Sequence, residues 1–255
     1  MGPMLKNILA LVVAIIAVHS LYIGYIRPEA ELVMEMARAA GQSAPRDLVV
    51  VLKDYEQEAC LILMLWGFFL IFDKCIEILR HRYLFTIDLI EAGSEEGVDL
   101  PSALKTLDGL PGKERDTPLV RTLMASMRRY LITHNVQDTS DAIESSVEAL
   151  SVKQEAENSM IRYLIWAIPS IGFIGTVRGI GEALSLADQA LAGDIAGMTN
   201  SLGVAFNSTL VALLISIVLM FLLHQLQRLQ DNQVVDTQEY CESFLLNRIS
   251  NAGDT

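Results

Sequence analysis

Two hydroxyls set in apolar sequence, Thr176 and Thr209, are the residues best suited to chemistry in this chain. Thr176 lies in "AIPSIGFIGTVRGIGEAL" (Ala167–Leu184) and Thr209 in "LGVAFNSTLVALLISIVLMFLL" (Leu202–Leu223). A hydroxyl both donates and accepts hydrogen bonds, so two of them in an apolar setting suit a narrow, wettable path for an ion. The first stretch also carries Pro169, Gly172, Gly175 and Gly179, which weaken a helix, and Arg178, which is costly in lipid by roughly 2.5–3.5 kcal/mol at the bilayer centre. Glu182 stands four residues after Arg178 on the same helix face and is its expected partner in an intramembrane ion pair. Asn207, Ser208 and Ser216 join Thr176 and Thr209 as candidate ion-path residues. No Ser-His-Asp logic, phosphate loop or metal constellation is legible, so neither an enzyme nor a bound cofactor is expected.

These residues need elements that hold them at one depth. The 255 residues are 52% hydrophobic, and the apolar ones are bunched into four runs near the length a bilayer span requires. They are 7–26, 59–79, 160–184 and 202–223. The first is open to a second reading as a signal peptide, although no clean small-x-small cleavage site follows it. Lys and Arg set the orientation. Ten of them fall between Arg80 and Arg162, whereas the Ser185–Ser201 connection has none and carries Asp188 and Asp194. Both termini and the long middle segment are therefore expected in the cytoplasm. The third run then travels outward and the fourth returns, which puts Thr176 and Thr209 both about 10–12 Å below the outer surface. The alternative for each threonine is a bond back to its own helix.

The expected organisation is an all-α membrane protein. An N-terminal hairpin (1–79, with outer loop 27–58) precedes a cytoplasmic helical region (80–159), a channel-forming hairpin (160–223) and a cytoplasmic helix and tail (224–255). The outer loop reads as two short helical pieces broken at Gly41–Asp47, and Glu95–Pro118 has the Gly/Pro punctuation of a loop. Asp141 with Glu144 reads as the capping-box start of a helix that continues into the third span. In lipid, helices associate through small residues and polar contacts. Gly172, Gly175 and Gly179 on one span, with Ala205 and Ala212 on the other, are the expected packing and partner-contact faces, beside the kink at Pro169. His19 reads as a helix contact or an outer-interface residue, and Cys60, Cys75 and Cys241 as packing residues. The net charge of −12 argues against nucleic acid as a partner.

The pattern P-x-x-G-x-x-G-T-V-x-G-I, Pro169 to Ile180, resembles the MotA/TolQ/ExbB proton-channel family, most closely its TolQ/ExbB branch. "GVAFNSTLVALL" (Gly203–Leu214) is similar to that branch's final-span motif, and the span count is MotA-like. Val204 stands where many relatives have a glutamate, and Arg178 where the residue is usually apolar or aromatic. The resemblance implies a bacterial inner-membrane, multi-pass subunit that forms a ring of five among the membrane lipids. It implies a single-span partner similar to MotB, TolR or ExbD, which carries the membrane aspartate. The carried ion would be H⁺, with Na⁺ as the alternative, and Thr176 and Thr209 match the polar lining. The function so implied is a stator or energiser that turns ion flow into mechanical work. A non-conducting scaffold or secretion-complex subunit with the same ring fold is the competing reading.

Overall fold

The structure, a computed structural model, describes residues 2–40, 47–90, 99–193 and 195–253. Every regular element among these is helical. In chain order they are α1 (Pro3–Leu21), α2 (Arg27–Ala39), α3 (Leu48–Leu52), α4 (Tyr55–Arg80), α5 (Leu100–Asp108) and α6 (Gly112–Arg115), followed by α7 (Pro118–Thr133), α8 (Val136–Glu157), α9 (Ser159–Ser185), α10 (Ala187–Leu191), α11 (Ala196–Cys241) and α12 (Asn247–Gly253). Four helices are long and apolar enough to cross a membrane, and they contain the four apolar runs. The chain is a multi-pass, all-α membrane protein.

Three stretches differ from the sequence expectation, each for a local reason. Residues 27–39 are no separate outer piece, because α1 continues into α2 through a π-helical turn at Tyr22–Ile26. Pro28 would clash with the carbonyl four residues back in a regular helix, and the wider turn just before it relieves that clash. The expected break at 41–46 lies outside the described residues, while Asp47 caps α3 by accepting from the Val49 amide at 3.4 Å.

The supposed loop 95–118 contains α5 and α6, its first residues 95–98 lying outside the described ones. Pro101 falls in the first turn of α5, where its missing N–H costs nothing, and Asp99 caps that turn through the Ser102 amide. Leu100, Ala103 and Leu107 then bury one face. Finally, α8 starts at Val136 behind the cap Asn135, not at Asp141. Asp141 instead accepts a hydrogen bond from Gln137 one turn earlier.

The chain forms two compact units, one of residues 1–72 with 160–224 and one of 73–159 with 225–255. The second has a hydrophobic core built from Leu119, Leu123 and Met127 of α7, Ile143 and Val147 of α8, and Tyr240, Cys241 and Leu245 of the C-terminal segment. Tyr240 fastens the segment after α4 to that core, since its hydroxyl donates to the Ile87 carbonyl at 2.9 Å and accepts from the Leu89 amide at 2.8 Å. Side-chain amides join α8 and its C-cap to α11: Asn158 and Gln230, both buried, pair reciprocally, and Gln154 donates to Gln233. In the first unit Val18, Tyr22 and Ile26 pack against Leu52, Leu61 and Ile62, closing the first hairpin.

Candidate functional site

The site lies in the first unit, where α9 and α11 meet. Gly172, Gly175, Gly179 and Ala183 are buried on α9, and Ala205, Ser208, Ala212 and Ser216 on α11. The approach is close enough to exclude any side chain. A Cβ on Gly172 would stand 2.5 Å from the Ala212 methyl, and one on Gly179 would stand 2.7 Å from the Ser201 carbonyl oxygen. The small residues are therefore consumed by contact within the chain. Gly172, Gly175 and Gly179 with Ala205 and Ala212, expected as helix-packing and partner-contact residues, form the packing face between α9 and α11.

Pro169 sits inside α9 and lacks the amide that would bond the Ile165 carbonyl. Ser216 of α11 supplies the missing donor, its hydroxyl lying 3.1 Å from that oxygen. Ser216 is thus committed to the proline's vacated acceptor and is buried there.

One edge of the glycine face carries the threonines. Thr176 and Thr209 hydrogen-bond each other through their hydroxyls. Thr176 also reaches the Ala205 carbonyl at 3.0 Å and the Gly172 carbonyl at 3.3 Å, and Thr209 reaches the same Gly172 oxygen at 3.2 Å. Each hydroxyl has one proton to give, so these contacts compete and the pair can exchange one arrangement for another. Both threonines are half-buried, with Phe173 and Ile180 exposed beside Thr176 and Phe206 and Leu213 exposed beside Thr209. This edge is open within the chain, and Asn207 lies half-buried near it in sequence.

Arg178 is two residues beyond Thr176, about 200° around the helix, and so lies at the opposite edge. There α4 covers it. Arg178 grips Glu56 with two parallel bonds of 2.7 and 2.9 Å and reaches Glu182 at 3.0 Å. Asp54 stands 3.8 Å away. Two residues beyond Glu56 along α4, Glu58 holds both Arg27 and His19, the latter at 2.6 Å. Gln57, fully buried, donates to the Ser208 hydroxyl at 3.3 Å and to the Val51 carbonyl at 3.0 Å. Cys60 packs behind it against the Ile168 carbonyl. Glu56 also touches the third span directly, its Cγ 3.2 Å from where a Gly175 Cβ would be.

Sequence reasoning missed Asp54, Glu56, Gln57 and Glu58. The available signal was three acids in five residues at the mouth of the second apolar run, with Arg27 and Arg178 at the corresponding ends of two other runs.

Residues 114–239 match the MotA/TolQ/ExbB proton channel family. That stretch takes in α9 and nearly all of α11, and hence both threonines and the glycine face. No curated protein and no solved structure matches the chain.

Proposed function

The chain belongs to the MotA/TolQ/ExbB proton channel family, and from that premise we propose that it is the ion-conducting subunit of a membrane motor, with Thr176 and Thr209 in the ion path. The observation that carries the reading is the hydroxyl pair on the uncovered edge of the α9–α11 seam. A pair whose two protons have more acceptors than they can serve passes a proton, or follows a passing cation, by rotating O–H bonds without moving a helix.

Among the described residues, none gives that pair a carboxylate on its own edge. The acids near α9 gather at the Arg178 edge and are held there. The proton-binding carboxylate is therefore assigned to a second protein, a single-span helix similar to MotB, TolR or ExbD, docking where the threonine edges of five copies face one another. The carried ion is H⁺, with Na⁺ as the alternative, and the membrane is the bacterial inner membrane with both termini on the cytoplasmic side. Ser208, Asn207 and Ser216 were grouped with the path in the sequence. Ser208 and Ser216 are here given structural parts, holding Gln57 and the Ile165 carbonyl.

The native mass of the detergent-purified protein, alone and co-expressed with a single-span protein carrying a membrane aspartate, tests the assembly. A pentamer that retains two partner chains supports the motor. A ring whose retained partner lacks such an acid supports the competing scaffold reading, and a monomer that ignores every partner contradicts both.

A further inference from the structure

Gln57 is fully buried in the first turn of α4, a helix outside the residues 114–239 that match the family. Its amide has two protons, and both are in use. One goes to the Val51 carbonyl of α3 at 3.0 Å and the other to the Ser208 hydroxyl of α11 at 3.3 Å. Val51 lies in the last turn of a five-residue helix, where carbonyls are left without helical partners. That carbonyl also fixes which end of the amide faces α11, because the reversed amide would set oxygen against oxygen. Ser208 in turn donates to the Val204 carbonyl at 2.9 Å, so its oxygen is free to accept from Gln57 and its rotamer is held.

Ser208 and Gly175 immediately precede Thr209 and Thr176. A Cβ on Gly175 would stand 2.6 Å from the Ser208 side chain, so this clamp closes on the seam at the depth of the threonine pair. Consecutive residues point about 100° apart around a helix, so Ser208 and Thr209 turn together. A roll of α11 by about 20° carries a side-chain oxygen roughly 1 Å, enough to part a hydrogen bond. We infer that Gln57 is a positioning residue. By holding Ser208 it sets the roll of α11 about its own axis, and so keeps Thr209 against Thr176. The glycines set how closely α9 and α11 approach, whereas Gln57 sets their rotation from a third helix. The inference rests on the threonines as the ion path only for its effect on flux.

The test replaces both threonines by cysteine in the full chain, purified in detergent, and follows disulfide formation under a mild oxidant. The product is read by mass as the linked peptide pair from the two spans, which separates it from any link to the native Cys60, Cys75 or Cys241. The Thr176→Cys, Thr209→Cys protein should link readily, since the two hydroxyls it replaces are in contact. Adding Gln57→Leu or Ser208→Ala should slow linking about fivefold, the factor carried by one neutral hydrogen bond. Both together should be no slower than Gln57→Leu alone, because they break the same contact. Ser208→Ala decides the matter if Gln57→Leu does not fold. With the native threonines, each substitution should lower flux by a similar factor. Unchanged linking in a folded variant overturns the inference, even where the unfolding midpoint falls, and so does a starting cysteine pair that fails to link. Slowed linking with unchanged flux upholds the positioning and counts against the threonines as the path.

Discussion

Single hydroxyls do two different jobs on these neighbouring helices. Ser216 answers for Pro169, and its loss should be felt as stability. Ser216→Ala leaves the Ile165 carbonyl buried without a donor, a cost of about 1–3 kcal/mol, to be seen as a lowered unfolding midpoint in detergent with ion flux retained in the surviving protein. Ser216→Thr keeps the donor and should recover most of that loss. Thr176 behaves in the opposite way. Thr176→Ser keeps a hydroxyl and should keep flux. Equal loss of flux in Thr176→Ser and Thr176→Val would show that shape, and not the hydroxyl, matters there. The threonines were legible from the sequence because helical rise alone put them at one depth. Ser216's partner was not, since a proline's orphaned carbonyl can turn to any neighbour.

At the scale of elements, the α9–α11 seam rests on the absence of side chains. Gly179→Ala puts a methyl against the Ser201 backbone oxygen, which cannot swing aside, so the helices must part. We expect a destabilisation of about 1–3 kcal/mol and a weakened assembly in detergent. Gly181→Ala, two residues on, meets nothing within 4 Å and should be neutral or slightly stabilising. Similar effects from the two would contradict the seam.

The glycine spacing was readable because a helix repeats every 3.6 residues. What faces it was only half readable, since a small-residue face looks the same whether its occupant is the next helix of the chain or another protein. Helix α5 was hidden for a different reason: Pro101 and Gly109 are punctuation in a sequence, yet at the first turn and the C-cap they are what a helix wants.

In the membrane unit as a whole, the first hairpin is fastened to the conducting one by charge. Arg178 and Glu56 are 122 positions apart, beyond the reach of any local pattern, and the acids lie just outside the apolar run that drew attention. Glu56 is almost wholly buried, so removing one partner strands a charge where removing both does not. Arg178→Gln alone, which strands Glu56, should therefore lower the unfolding midpoint more than the Arg178→Gln, Glu56→Gln double substitution does. In Glu56→Gln alone, Arg178 keeps Glu182. If the single effects simply add, the pair is not coupled and the hairpin is held by packing alone.

The account stands or falls on the threonine pair. The direct measurement is ion flux into vesicles holding the purified protein with the proposed single-span partner, comparing wild type with Thr176→Val and Thr209→Val. Valine keeps the shape and removes the proton that the pair exchanges, so each variant should assemble normally and conduct at least about tenfold less. Wild-type flux from assembled protein in which both threonines are valine would place the path elsewhere and contradict the account.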